Sequence, residues 1–268
     1  MATDYLTRED APFGDEIFEK LDEVVASVAK SQLSARRLLD IEGPYGLALK
    51  SVPLNDAVVS DGDVQLLSSP VLPVPMIQTT FTLSTRDLAS YEETGFSLDT
   101  ESVARAAMAA AAAEDSLLFE GNTGIGLTGL LTVVGSQTVT LGNWDEPGPA
   151  GSDTIAALTA LDAAGFHGPY LMALATDLYN RLYRLLPQGF QTEMQYLESI
   201  VGGKIIKAPG IKSGGVVLAE GKQFASIVIG QDMSVGYIGP QESEFEFKIV
   251  ESIAPRIRVP SSICVLKA

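Results

Sequence analysis

The chain has 268 residues, 46 % hydrophobic and only 19 % charged, with a formal net charge of −16 at pH 7. That length allows one large domain or two smaller ones around a sizeable core. So acidic a balance argues against non-specific nucleic-acid binding, which needs Lys and Arg to neutralise phosphates; the high apolar share suits a subunit that buries surface against neighbours.

Residues Met1 to Gly14 are polar and acidic, without the basic start and apolar run of a secretory signal. No apolar stretch approaches the roughly 20 residues of a membrane span. The single cysteine, Cys264, offers no intrachain disulfide, which is compatible with a reducing cytosol. The expectation is a cytoplasmic protein with no membrane and no nucleic-acid partner.

From Asp15 to Lys30, apolar residues at Ile17, Phe18, Leu21, Val24, Val25 and Val28 have the spacing of an amphipathic helix. The Gly43-Pro44 pair breaks the chain. Leu47 to Val74 follows, rich in Val, Pro, Ser and Asp, with a turn at Asp61-Gly62-Asp63 and no helical period, and reads as an extended excursion. Ile77, Thr79, Phe81 and Leu83 alternate as a strand. Asp99 or Thr100 then caps an alanine-rich helix running to about Phe119, with Gly121 as its stop. Beyond Val133 comes a second lobe of α/β character. Ser152-Asp153 starts a helix ending before Gly165, and Tyr170 to Ala175 is a strand. Asp177 to Leu186 and Thr192 to Val201 are helices joined by a loop, and Val216 to Ala219 and Phe224 to Ile229 are strands. The chain closes with strands at Phe245 to Ile253 and Ile257 to Leu266.

Constellations that carry chemistry are scarce. The one histidine, His167, sits in the turn Gly165-Phe166-His167-Gly168-Pro169, and any Ser/His/Asp or Cys/His arrangement would have to use it. Cys264 lies in an apolar strand and reads as a small buried hydrophobe. No second cysteine or histidine completes a zinc site. Asp61 and Asp63 lack the remaining ligands of a calcium loop. Gly121, Gly124, Gly126 and Gly129 follow a helix and precede no P-loop lysine, so they read as turn glycines. No catalytic residue, metal or cofactor is expected.

Two stretches combine turn-permitting glycines with charged and aromatic residues: Asp40-Ile41-Glu42-Gly43-Pro44-Tyr45-Gly46 and Gly230-Gln231-Asp232-Met233-Ser234-Val235-Gly236-Tyr237. Between them, in order, come Thr80-Phe81-Thr82-Leu83, Gly126-Leu127-Thr128-Gly129-Leu130, Gly168-Pro169-Tyr170 and Gly202-Gly203-Lys204-Ile205-Ile206, after an amphipathic helix ending at Asp40. In this order and spacing the chain resembles the shell proteins of the family 1 encapsulins over nearly its whole length. These are compartments built on the HK97-type fold of tailed-phage capsid proteins.

The resemblance implies an α+β fold. Residues 1–46 would hold the N-terminal helix and the start of a peripheral domain, and 47–76 an extended loop lying across a neighbour. Residues 77–132 would continue the peripheral domain with its spine helix, 133–224 form an axial domain, and 225–268 return to the peripheral domain. It implies a non-enzymatic subunit that self-assembles into an icosahedral cage, of about sixty copies in the smallest case. The cage would enclose a ferritin-like iron oxidase or a haem peroxidase recruited through a short terminal peptide. By position the peptide's groove would be Val25, Val28, Ala29, Gln32, Arg36 and Asp40, with Ile249 and Ile253 as strand partners. The loop Leu186 to Gln191 would converge at the five-fold axis, with Pro187, Gln188, Gly189, Phe190 and Gln191 defining the opening. Some shells in the family hold a flavin against a tryptophan just after the strand matching Thr80 to Leu83. Here that neighbourhood reads Ser84-Thr85-Arg86-Asp87 and the sole tryptophan is Trp144, so no flavin is expected. A phage capsid protein and a hydrolase stand as the alternatives.

Overall fold

A computed structural model describes residues 5–58, 64–187 and 189–268. The turn Asp61-Gly62-Asp63 and Gln188 lie outside the described residues. The helices are α1 (Asp15–Gln32), α2 (Ala35–Leu38), α3 (Thr85–Thr94), α4 (Glu101–Glu120), α5 (Pro149–Ala163), α6 (Thr176–Arg181) and α7 (Glu193–Val201). The chain divides into two compact units. The first takes residues up to Gln32, Gly43–Glu114 and Val228–Ala254, and the second takes Leu33–Glu42, Asp115–Ile227 and the chain from Pro255 onward.

In the first unit, Met76–Ser84 and Ser234–Gln241 both pair antiparallel with the strand that begins at Glu244. The register sets Phe247 opposite Phe81 on one side and Tyr237 on the other. Phe81 and Phe247 stack with centroids 5.2 Å apart and rings within 7° of parallel. This aromatic row meets the apolar stripe of α1, Ile17, Phe18, Leu21 and Val25, whose helical spacing puts all four on one face. Val103, Ala106, Ala107 and Ala110 of α4 close the same core. Their small side chains let the helix approach its neighbours closely, and alanine's propensity favours the helix itself. Ahead of α1, the carbonyl of Leu6 accepts from the Tyr237 N–H at 2.9 Å, and Arg8 grips Asp22 at 2.8 Å and the Val235 carbonyl at 2.8 Å.

The excursion after the Gly43-Pro44 break forms two short antiparallel ladders, Ser51–Pro53 with Val71–Pro73 and Ala57–Val58 with Leu67–Ser68. Val58, Leu66, Leu67 and Val71 are all exposed. Helix α3, absent from the sequence reading, follows the strand directly, with Ser84 at its N-cap and Gly95 left-handed at its C-terminus.

The second unit holds a five-stranded mixed sheet in the order Ile205–Lys207, Tyr170–Leu174, Gly215–Ala219, Ile263–Lys267, Gln137–Thr140. Its two outer pairings are parallel and the inner two antiparallel. One face carries Met172, Leu174, Val217 and Cys264 against Ala157 and Leu161 of α5 and Leu197 and Val201 of α7. Trp144 is buried in this core, its indole N–H donating to Asp153 at 2.8 Å.

Four expected boundaries are corrected. The helix drawn to Asp40 ends at Gln32. The chain breaks at Leu33–Ser34 and restarts as α2, because the buried carboxylate of Asp115 accepts the N–H groups of Ser34 and Ala35 at 3.0 Å and the Ser34 hydroxyl at 2.5 Å. A negative charge on those N–H groups satisfies donors that a continuous helix would have turned toward its own preceding carbonyls. Helix α5 begins earlier than Ser152, since Pro149 at its first position is already set at a helical φ. Helix α6 stops at Arg181 rather than Leu186. The carbonyls of Leu182 and Arg184 accept instead from Met194 and Glu193, at 2.8 and 3.1 Å. The closing strand Ile257 to Leu266 is split at Pro260, which lacks an N–H for the ladder: one strand runs Glu244–Ile257 and a second Ile263–Lys267.

Candidate functional site

Two loci carry the positions singled out above. Along α1, Val25 and Ala29 are buried, Val28 is half-buried and Gln32 is exposed. Val25 and Ile249 share one apolar core, with Val28 packed at its edge, and Ile253 is fully buried. Four of the eight named positions are thus filled by the protein's own packing. Of the named α1 positions, Gln32 is open to solvent and Val28 only in part.

Arg36 and Asp40 come together in the second unit, where they line a cavity of about 640 Å³. Its floor is Leu171, Ile206 and Leu218, from the sheet face opposite α5 and α7, with Ile205 of the outer strand beside them. Its rim adds Arg37, Glu198, Lys204 and Glu220, giving three cations and three acids around an apolar base. Sequence reasoning missed Glu198, Lys204 and Glu220. No spacing connects them to Arg36, because only the sheet order carries them to one place. Nearby, Glu42 is held by Arg258 at 2.5 Å, by Arg256 at 3.2 Å and by the Ser226 hydroxyl on the paired strand. Burial pushes this carboxyl upward. The hydrogen bonds from Ser226 and Arg258 and the charges of Arg258 and Arg256 outweigh burial and hold it below the ordinary carboxylate range.

The second locus is the loop between α6 and α7. Its neck is closed by the bridge Leu185–Thr192 and by the Leu186 N–H donating to the Gln191 carbonyl at 3.1 Å. Behind the neck, the buried Glu193 carboxylate accepts from Arg184 at 2.6 Å and from the Gly148 N–H at 2.6 Å. Arg184 also donates to the carbonyls of Asp145 and Glu146 at 2.9 and 2.7 Å. Thr192 and Gln195 form a reciprocal cap at the start of α7. Pro187, Gly189 and Gln191 border a cavity of about 420 Å³ with Gly151, Ile155 and Tyr196, while the Phe190 ring is fully exposed. The result is an anchored base with a bare tip.

His167 and Cys264 lie outside these loci. His167 meets Asp162 at 3.3 Å, and Asp162 also accepts from the Tyr170 hydroxyl at 2.5 Å. The Cys264 thiol is buried, which pushes it up to about 11. No cluster of metal donors occurs among the described residues, and none of the described helices is long and apolar enough to cross a membrane.

The two units define a capsid-type fold. The virus-like particle protein of Pyrococcus furiosus superimposes with a TM-score of 0.76 at 22 % identity, over 94 % of this chain and 100 % of that one. The capsid protein of Myoviridae phage XM1 does so with a TM-score of 0.62 at 14 % identity, over 85 % and 88 %. Residues 3–254 match the family of encapsulating proteins for peroxidase, and the chain belongs to that family of encapsulin shell proteins. The type 1 encapsulin shell protein EncA of Myxococcus xanthus is 29 % identical over 98 % of this chain and 96 % of its own. A diheme-cytochrome–encapsulin shell fusion protein of Kuenenia stuttgartiensis is 27 % identical over 94 % and 73 %.

Proposed function

We propose that this chain is the repeating subunit of a closed protein compartment: copies self-assemble into an icosahedral cage that encloses a cargo enzyme and performs no catalysis itself. The observation that carries this reading is the family match over residues 3–254. In the smallest closed shell of this symmetry the subunit repeats about sixty times. The excursion of residues 47–76, with its exposed apolar residues, is the arm that lies across a neighbour, and the loop bearing Phe190 borders the opening at the five-fold axis.

Cargo is recruited by a short terminal peptide. Gln32 and the part-exposed Val28 are the α1 positions open to it, and Arg36 and Asp40 offer charges at the rim of a cavity with an apolar base. A haem peroxidase or a ferritin-like iron oxidase is the expected class of content, in the cytoplasm. A net charge of −16 favours such cargo over a nucleic acid.

Electron microscopy of the protein expressed alone tests the proposal. Uniform closed particles without nucleic-acid absorbance are expected, and their symmetry gives the copy number. Monomers or small oligomers across several salt and pH conditions would overturn autonomous assembly. Particles filled with nucleic acid would transfer the chain to the phage-capsid reading.

A further inference from the structure

Tyr179 lies in α6 and Tyr183 just past its end, one helical turn apart. Their hydroxyl oxygens are 3.3 Å apart and their ring centroids 5.8 Å apart at an interplanar angle of 72°. Tyr183 is 60 % exposed and Tyr179 half-buried. Tyr5 and Tyr45 are as open to solvent, at 63 % and 61 %, but their rings take part in no aromatic pairing among the described residues. The Lys207 ammonium sits 5.9 Å over the Tyr179 ring, where it draws electron density and leaves Tyr183 the easier of the two to oxidise.

We propose that Tyr179 and Tyr183 form an oxidative cross-linking site, at which a peroxide-driven one-electron oxidant joins the two rings through a carbon–carbon bond. Each phenol gives up one electron and one proton to become a phenoxyl radical. The two radicals combine at the carbons ortho to their oxygens, and the ring hydrogens at the new bond shift to oxygen, restoring both hydroxyls and aromaticity. One hydrogen peroxide takes up the two electrons and two protons and leaves as two waters. Radicals held within one helical turn couple far faster than radicals on separate chains, because their effective concentration is set by the fold. Hydrogen bonding to Tyr183 and then burial push the Tyr179 phenol up to about 12, so it starts out protonated and the proton must leave with the electron. The staple would fix Tyr183 at the threshold of the bridge Leu185–Thr192, stiffening the neck of the loop that carries Phe190. That consequence for an opening rests on the shell reading above; the cross-link itself does not.

The test treats the purified protein, as assembled particles and again after dissociation, with a haem peroxidase and hydrogen peroxide. Trypsin cuts between the two tyrosines, after Arg181, so the staple appears as two joined peptides lighter by two hydrogens and with dityrosine fluorescence. Tyr183→Phe, which removes only an exposed hydroxyl, is expected to abolish the joined pair, and Tyr45→Phe to retain it. A joined pair in protein that forms no particles under any salt or pH condition would uphold the site while the shell reading fails. Links confined to Tyr5 or Tyr45 of different chains, or oxidation that leaves Tyr179 and Tyr183 unjoined, would overturn the site.

Discussion

The backbone N–H of Gly46 donates to the carbonyl of Gly230 at 2.7 Å, joining the two glycine-containing stretches that stood out in the sequence. Beside it the Tyr45 N–H donates to the Ile229 carbonyl at 3.1 Å, and Gly230 in turn donates to the Ser252 carbonyl at 2.8 Å. The glycines are needed where the backbones touch. A Cβ on Gly43, held at φ +116°, would sit 2.4 Å from the Ile229 carbonyl oxygen, and one on Gly230 the same distance from the Ser252 hydroxyl.

Gly43→Ala should therefore destabilise the protein by more than about 3 kcal/mol, combining left-handed strain with a backbone clash. Gly46→Ala meets only the strain, since a Cβ there finds open space at φ +98°, and should cost about 1–2 kcal/mol. Urea unfolding of the two variants beside the parent checks the ranking; equal losses would contradict it.

Glu193 is 1 % exposed, and its carboxylate is the anion facing Arg184 behind the loop neck. Glu193→Ala leaves that guanidinium partly buried without its counter-charge and frees the Gly148 N–H, for an expected loss of about 3–5 kcal/mol. Thermal unfolding measures it. Glu193→Gln keeps an acceptor in place and should recover a substantial part of the loss.

The carboxyl of Glu42 titrates below its ordinary range in the folded protein. A group depressed by folding contributes stability that is present above its unfolded value and is lost as pH falls through the folded one. Acid unfolding should therefore be shallower on its acidic limb in Glu42→Gln than in the parent, with little change in the pH dependence near neutrality. Unfolding free energies measured across that limb decide the matter, and superimposable slopes would rule out Glu42 as a contributor.

The exposed tip of the loop invites a substitution that separates transport from folding. Phe190→Gly removes a fully exposed ring and should change stability by no more than about 0.5 kcal/mol. If the loop borders an opening, passage of small ions into assembled particles should quicken while particle yield stays the same. Stopped-flow quenching of an enclosed dye reads the rate directly.

Helix α1 and the strand Met76–Ser84 were legible because each repeats its apolar residues at its own period, and α4 because its alanines favour helix between a cap at Asp99 or Thr100 and the stop at Gly121. Val25 and Ile249 show the limit of such reasoning: the periodicity that puts Val25 on an apolar face also buries it in the core with Ile249, leaving Gln32 open and Val28 only partly so. Helix α3 was overlooked because Thr85 to Thr94 has few apolar residues to mark a period, and Leu88 is its one buried side chain. Trp144 could be seen to lie away from the strand at Thr80 to Leu83, but not that its indole would donate to Asp153.

By itself the sequence determined the order of the longer helices and main strands, the family-like succession of glycine turns, and the acidic, cysteine-poor character of the chain, because these depend on neighbours a few residues apart. The tertiary structure alone decided where the first helix breaks, where α6 ends and which charges share a cavity rim with Arg36. Each of those outcomes depends on partners remote in sequence: Asp115 for Ser34, Glu193 for Arg184, and Glu198, Lys204 and Glu220 at the cavity rim. Buried backbone and charged groups must find hydrogen-bond partners somewhere, and which ones they find is known only once the chain has folded.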